Sequence, residues 1–249
     1  MVAITSIASY CSVVALLIIQ GTQGCIIHAR QDSSSGNGTA LPPADFMTIG
    51  TDGLAPPETL GYAINHFSLI VSNLTASKEF YGNVLGMRHM FTAQLSPHYS
   101  VTYMGHAHGG RNGTGYQTGA ELLREKNNAN GMIEFQYFAG SADVNITATT
   151  RRPNTFSHIG LIVPSLADAE KRMLQYGVTI SKRIGLGAQG IESVENAFGF
   201  GPYVTTNETE RELLIQGQEW VGFSQLLGIE DPDGNFIEVQ QLVPPPGVA

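Results

Sequence analysis

The sequence has little cysteine and little positive charge. Its two cysteines are Cys11 and Cys25, and Cys11 lies in a segment that we interpret below as a signal peptide. The mature chain therefore keeps Cys25 at most, which excludes a disulfide framework and a thiolate metal site. The 13 Lys and Arg against 21 Asp and Glu give a net charge of -8. This balance argues against a nucleic acid or an anionic membrane surface as a partner.

The N-terminal segment has no charged side chain over residues 1–24. It contains the apolar run "CSVVALLII", followed by Thr22 and Gly24, which suit the -3 and -1 positions of a cleavage site. A transmembrane anchor is the rival interpretation, but the run is shorter than the roughly 20 residues that a spanning helix needs. We predict a signal peptide over residues 1–24, a secreted protein, and no membrane association after cleavage.

The next segment, residues 25–59, is rich in Ser, Gly and Pro and has no hydrophobic period, so we predict a flexible leader. Five Asn-x-Ser/Thr sequences along the chain favour secretion and are candidate sites of N-glycans. They begin at Asn37, Asn73, Asn112, Asn145 and Asn207.

The rest of the chain repeats one pattern. The segments "NHFSLIVSNLTASKEFYGNVLGM" and "SHIGLIVPSLADAEKRMLQYGVT" both read His, x, x, Leu-Ile-Val, followed by a stretch of helical period. Later, "MIEFQ" and "FIEVQ" repeat Ile-Glu-x-Gln. Each half therefore offers a strand with a His near its start, a helix, further strands and a last strand with a Glu. We predict an α+β fold of two modules, residues 60–150 and 151–246.

The last strand of the second half follows a turn signal, Asp231-Pro232-Asp233-Gly234. A lone strand Glu is usually solvated and a lone strand His usually belongs to the core, but this chain has two matched pairs. If the modules pack about a pseudo-twofold axis, the four side chains can converge in the groove between them. Two imidazoles and two carboxylates would suit Zn, Ni, Co, Mn or Fe(II). The four predicted ligands are His66, Glu134, His158 and Glu238.

In order and surroundings, these four residues resemble the metal-binding segments of glyoxalase I, in the vicinal oxygen chelate superfamily. The resemblance covers roughly residues 60–243 and implies paired βαβββ modules in one chain, with curved sheets that form a cup around a divalent metal. It also implies a lyase or isomerase that moves a proton between adjacent carbons of a vicinally oxygenated substrate through an enediolate. Glu238 is the first candidate for the catalytic base and Glu134 is its partner.

The chain departs from glyoxalase I at the positions that hold glutathione. Where the resemblance calls for Arg, Asn and Arg, the sequence has Ile70, Phe138 and Asn154. Arg151 or Arg152 would replace only part of the lost charge-assisted bonds. A small, more apolar oxygenated substrate is an equal candidate, so glutathione as a cosubstrate stays open, as do the metal and the oligomeric state.

Two other functions fit the same fold. An Fe(II) extradiol-type dioxygenase would need only His66, His158 and Glu238 as ligands. A non-catalytic small-molecule binding protein of the bleomycin-resistance kind would do without the metal ligands. All four ligand types are retained, which counts against the binding protein.

Three smaller features concern the inserts and one predicted strand. Gly-rich inserts, one in each module, are either lids or surface decoration. His106 and His108, in the first insert, are either solvated or a second metal site. The alternation of Tyr99, Val101 and Tyr103, beside Phe135 and Tyr137, predicts strand core.

Overall fold

The computed structural model describes residue 43 and residues 46–140, 146–201 and 206–242. The predicted signal peptide, Asn37 and Asn145 lie outside these residues. Within the described part of the chain, no helix combines the length and the apolar character needed to cross a membrane.

The described residues form two βαβββ modules, each with helices added by its insert. The first module contains, in chain order, β1 (His66–Ile70), α1 (Leu74–Glu79), β2 (Arg88–Gln94), β3 (Tyr99–Gly105), α2 (Gly119–Glu125) and β4 (Met132–Phe138). The second contains β5 (Ile159–Val163), α3 (Leu166–Gln175), β6 (Ile180–Lys182), α4 (Glu192–Ala197), α5 (Glu208–Trp220), β7 (Leu227–Glu230) and β8 (Phe236–Gln241). A π-helical turn, Phe80–Val84, continues α1.

The two sheets have the same strand order, β1-β4-β3-β2 and β5-β8-β7-β6. In each sheet the first and last strands of the module are parallel neighbours, and the remaining pairs are antiparallel. This order places each His-bearing strand next to a Glu-bearing strand. The predicted α+β fold of two βαβββ modules in one chain is confirmed.

The first helix of each module begins at the same point of the repeat because each has a polar N-cap. The Asn73 side chain accepts a hydrogen bond from Ala76 N at 3.1 Å, and Ser165 Oγ accepts one from Asp168 N at 3.2 Å. These bonds satisfy one of the backbone donors that a helix leaves unpaired at its first turn.

One hydrophobic cluster joins the two modules. It includes Leu69 and Phe135 of the first module and Ile237 and Val239 of the second, all of which are buried. Successive strand residues point to opposite faces of a sheet. The predicted ligands alternate with these core residues, so they lie on the faces that point away from the shared core.

The turn between β7 and β8 is also a junction between modules. Gly234, with a φ of 91°, donates its N–H to Asp231 O at 3.0 Å, which confirms the predicted turn. Ser72 of the first module donates its N–H to Asp233 Oδ1 at 3.1 Å, and its hydroxyl contacts the same oxygen. The conformation of this turn therefore helps to fix the position of the first module.

Each insert packs on the sheet face that carries the predicted ligands. In the first module, α2 buries Leu122 against Met90 and Met132. In the second module, the insert buries Val194 of α4 in a cluster with Phe236 of β8. These clusters fix α2 and α4 to the sheet faces that carry the predicted ligands.

Candidate metal centre

The four predicted ligands lie in two separate pairs. His66 Nε2 is 3.5 Å from Glu134 Oε2, and His158 Nε2 is 3.3 Å from Glu238 Oε2. Among the residues that the structure describes, no three His, Cys, Asp or Glu side chains are grouped closely enough to hold a metal ion. We call His66 with Glu134 the first half-site, and His158 with Glu238 the second half-site.

This arrangement differs from the single groove expected from the sequence. The repeat correctly identified which strands are equivalent, but it carried no information about which sheet faces pack together. The modules pack through their core faces. Each half-site therefore lies on the other face of its sheet, the face that points away from the shared core. Each residue's role as a metal ligand stays a prediction.

The tautomer of His66 follows from its neighbours. Asn65 Nδ2 donates hydrogen bonds to Lys126 O at 2.7 Å and Ala129 O at 2.9 Å, which fixes the orientation of the amide. Asn65 Oδ1, 3.0 Å from His66 Nδ1, must therefore be an acceptor. The ring proton belongs on Nδ1, and the lone pair of Nε2 faces Glu134.

In the second half-site, a serine hydroxyl fixes the same tautomer for His158. Ser157 Oγ donates its proton to Ala197 O at 2.6 Å, so it accepts from His158 Nδ1 at 2.7 Å. The Nε2 lone pair then faces the Glu238 carboxylate across 3.3 Å. Two acceptors so placed repel each other unless a proton or a cation lies between them. A histidine whose Nδ1 is tied by a neighbour is typical of metal ligands, so these residues fit a divalent cation.

Each carboxylate is held by the glutamine two residues further along. Gln136 Nε2 donates to Glu134 Oε1 at 3.1 Å, and Gln240 Nε2 donates to Glu238 Oε1. Ser68 Oγ adds a bond of 3.2 Å to Glu134. Burial raises the pKa of Glu134, but hydrogen bonds from Tyr103, Gln136 and Ser68, together with the charge that His66 carries when it is protonated, outweigh it, so the pKa lies below its ordinary value.

Tyr103 is a site residue that the sequence analysis missed. Its hydroxyl lies 3.0 Å from His66 Nε2 and shares a hydrogen bond with Glu134. Tyr103 is buried in a hydrophobic cluster, as the predicted strand core requires. This cluster lies on the ligand face, because Tyr103 pairs with Glu134 across β3 and β4, whereas Phe135 points to the shared core. Burial, followed by Glu134, raises the pKa of Tyr103.

Lys182 is a second residue that the sequence analysis missed. Its side chain is fully buried, and its Nζ donates to Leu226 O at 2.8 Å. Burial lowers the pKa of Lys182 to about 8, while the charges of Glu219 and Glu238 act in the opposite direction. No motif in the sequence distinguishes this lysine from a surface one.

The surroundings of the half-sites are largely apolar. The His158 ring stacks on Phe198 with centroids 4.6 Å apart. Ile70, Phe138 and Ile162 lie four residues after His66, Glu134 and His158, hence on the same sheet faces, and they are 62%, 51% and 54% exposed. At the site of the missing third glutathione contact, Asn154 Oδ1 accepts from Phe156 N at 2.8 Å.

Within the described part of the chain, the histidines of the first insert belong to no metal-binding group. His108 Nε2 lies 3.0 Å from Glu125 Oε2, and both side chains are exposed. No third residue of the described chain joins them in a metal-binding group.

Paired βαβββ modules with a His and a Glu on adjacent parallel strands define a vicinal oxygen chelate fold. The chain belongs to the Glyoxalase/Bleomycin resistance protein/Dioxygenase superfamily, whose family model matches residues 63–190, or 128 of the 249 residues. The resemblance stated from the sequence is thereby confirmed. Among curated proteins, a search returned no match to this sequence.

Several solved structures are similar to this chain at low identity. The trypanothione-dependent glyoxalase I of Leishmania major is 15% identical with a TM-score of 0.43, and the match covers 72% of this chain and 86% of that one. Glyoxalase I from Zea mays is 15% identical with a TM-score of 0.42, covering 74% of this chain and 46% of the maize chain. An antibiotic binding protein from Streptomyces is 15% identical with a TM-score of 0.36, covering 72% and 95%. The match thus spans less than half of the maize enzyme.

Proposed function

We propose that this protein is a metal-dependent lyase or isomerase of the glyoxalase type that acts on a small, vicinally oxygenated substrate. The observation that carries the proposal is the pair of matched half-sites. In each, a His has its Nδ1 tied by the preceding residue and its Nε2 directed at a Glu carboxylate. Hydrogen bonds of this kind, from Nδ1 to a neighbouring acceptor, orient the imidazole ring for a metal.

The residues of the chain have distinct tasks in this proposal. His66 Nε2, His158 Nε2 and the carboxylates of Glu134 and Glu238 would hold a divalent cation such as Zn, Ni, Co, Mn or Fe(II). When bound, this cation supplies an electrophile that stabilises negative charge on the substrate oxygens. Gln240 holds Oε1 of Glu238, so the Oε2 atom is the one positioned to take a proton from a substrate carbon. The same carboxyl group would return the proton to the adjacent carbon, with Glu134 as its partner in the site.

We also propose that a second copy of the chain completes the site. The half-sites lie on sheet faces away from the shared core, so the first half-site of one copy can face the second half-site of another. A two-fold axis would then create two identical four-ligand sites. The exposed side chains of Ile70, Phe138 and Ile162 on these faces support the idea of a partner surface.

The same apolar residues bear on the substrate. A glutathione carboxylate beside Ile70 and Phe138 would have no charge-assisted donor. A compact substrate with apolar substituents would instead gain from contact with these side chains and with Phe198. We therefore propose an apolar vicinally oxygenated substrate, with glutathione dispensable.

Elemental analysis and proton exchange test this function together. We expect stoichiometric divalent metal in the purified protein, and exchange of a substrate C–H proton with deuterated solvent, followed by NMR. Substrates should include methylglyoxal adducts of glutathione and of a small apolar thiol. Glu238→Gln should lose most of the exchange and keep the fold, whereas Glu192→Gln, on the exposed face of α4, is the matched control.

Two results would redirect the proposal. Oxygen-dependent cleavage of a catechol by the iron-loaded protein would favour the extradiol function. Failure to take up any metal on reconstitution would favour a non-catalytic binding protein.

Secretion is a further part of the proposal, supported by the uncharged N-terminal segment and the sequons. Asn73 is exposed, and it caps α1 through its Oδ1 atom. An N-glycan is attached through the amide nitrogen, so glycosylation at Asn73 is compatible with the cap.

A further inference from the structure

We propose that the two half-sites bind a cation unequally. The first half-site anchors the cation, and the buried ammonium of Lys182 weakens cation binding at the second. This inference rests on the proposed metal-dependent function and assigns different tasks to two sites that look equivalent in the repeat.

Strand register shows how the half-sites differ. Residues paired directly across neighbouring strands form one row in each sheet, with the site Glu in the third position. The row of the first sheet, across β2, β3, β4 and β1, is Phe91, Tyr103, Glu134 and Ser68. The row of the second sheet, across β6, β7, β8 and β5, is Lys182, Gly228, Glu238 and Gly160. The carboxylates are equivalent, but every neighbour differs.

In the first row, neutral donors flank the carboxylate. Hydroxyl groups of Tyr103 and Ser68 both hydrogen-bond to Glu134. The Tyr103 ring is held by Phe91, stacked at a centroid distance of 4.8 Å, and by Lys126, whose Nζ is 4.6 Å from its centroid. Lys126 is partly exposed, so water screens its charge. The hydroxyls orient the carboxylate without adding a net charge.

In the second row, glycine leaves room for the Phe236 ring beside a lysine. A Cβ atom at Gly228 would lie 2.4 Å from the Phe236 ring and 3.1 Å from Lys182 Cβ. A register shift between Ile180 and Lys182 turns Lys182 away from the core face and onto the face of Glu238. Two strand spacings of about 4.8 Å separate the backbones of Lys182 and Glu238.

The Lys182 ammonium is held firmly in this position. Its Nζ donates to Leu226 O and Arg183 O, and it lies 5.1 Å from the Phe223 ring centroid. The carboxylates whose charges act on it are Glu219 of α5 and Glu238 of β8. Lys182 is therefore a built-in cation that already offsets the charge of Glu238.

The Lys182 ammonium offsets the negative charge of Glu238, but it repels a metal ion that binds there. Screening inside a protein is weak, so a buried ammonium repels a nearby divalent cation over several ångströms. At the first half-site the donors are neutral, and hydrogen bonds to a ligating carboxylate strengthen metal binding. The first half-site should therefore hold the cation more tightly than the second.

Cobalt(II) titration of the full-length protein, followed by the visible d–d spectrum, tests this inequality without measuring turnover. We expect His66→Ala to weaken cobalt binding more than His158→Ala does, by a further factor of about ten or more. Residues that hydrogen-bond to metal ligands change metal affinity by about 10–100-fold, and tenfold is the low end of this range. Lys182→Met should tighten binding by a similar factor. Lys171→Met, an exposed lysine of α3 in the same module, should have no effect.

The alanine variants leave Lys182 intact, so their comparison stands even if Lys182→Met does not fold. Equal losses in the two alanine variants, or unchanged affinity in a folded Lys182→Met protein, would overturn the inference while leaving the proposed function in place. Absence of cobalt binding by the wild type would overturn both.

Discussion

Tyr81 donates its hydroxyl proton to Asp231 Oδ2 across 3.0 Å, and both residues are buried. The bond joins the π-helical turn that follows α1 to the turn between β7 and β8. Asp231 Oδ1 meanwhile accepts the backbone N–H groups of Asp233 and Asn235 at 3.0 and 2.8 Å. One carboxylate therefore shapes the turn of the second module and holds a side chain of the first.

Tyr81→Phe should destabilise the protein by about 1.5–3 kcal/mol, because it removes a buried hydrogen bond to a carboxyl group. Urea unfolding followed by circular dichroism measures the loss. Tyr99→Phe is the matched control, since the Tyr99 hydroxyl bonds to partly exposed Gln136. A loss no larger than that of the control would contradict the role of this bond.

Lys182 should make stability depend on alkaline pH. Burial lowers its pKa from 10.5 to about 8, against the charges of Glu219 and Glu238. Between these values the unfolded chain binds more protons than the folded one, so stability should rise with pH, by roughly 3 kcal/mol across the window. Unfolding free energies of the wild type and of Lys182→Met, measured from pH 7 to 10.5, isolate this contribution. A difference that stays constant over this range would refute the prediction.

Ser157→Ala should weaken metal binding about 10–100-fold, because it leaves the Nδ1 proton of His158 without the acceptor that orients the ring. Competition with a chromogenic chelator gives the affinity. Ser165→Ala removes the N-cap of α3 and should cost about 1 kcal/mol of stability with no change in metal affinity. Equal metal affinity in the wild type and Ser157→Ala would argue against His158 as a ligand.

Phe135→Ala should destabilise the fold by about 3–5 kcal/mol, since this fully buried ring packs in the cluster shared by both modules. Phe138→Ala, three residues along the same strand and half exposed, should cost much less. It should instead weaken binding of an apolar substrate, which a KM measurement detects. If Phe138→Ala lowered the stability more than Phe135→Ala, the assignment of Phe135 to the shared core would be contradicted.

Thr75→Ala should abolish glycosylation at Asn73 and leave α1 intact, because the Asn73 cap does not use the threonine. A mass difference between the secreted wild type and the variant, removed by a glycosidase, would show the glycan. Asn73→Gln should lose the same mass and about 1 kcal/mol of stability as well. Masses that differ among the three proteins only by the substituted side chains would show that this sequon is unoccupied.

The sequence predicted the modules because their hydrophobic periods, turn and repeat are local signals. It also identified His66, Glu134, His158 and Glu238 as equivalent pairs, since the spacing within the repeat is preserved. The pairing of faces is a long-range property, however. Whether the modules pack through the ligand faces or through the opposite faces depends on total burial over both sheets, which no single segment encodes.

Tyr103 illustrates the same limit on a smaller scale. Alternation in β3 separates Tyr103 from Met104, but it does not say which of them faces the core. The register with β4 determines the face of each residue. In this register Tyr103 pairs with Glu134 and Met104 pairs with Ile133. Lys182 was beyond prediction because a register shift decides its face.

The cluster that joins the modules has a consequence for how the chain can be divided. Leu69 and Phe135 on one side and Ile237 and Val239 on the other are buried in the same cluster. A fragment that ended between the modules would present one of these faces to water and would lose the cooperativity of a single core. The βαβββ pattern is a repeat of sequence, whereas the unit that folds is the pair.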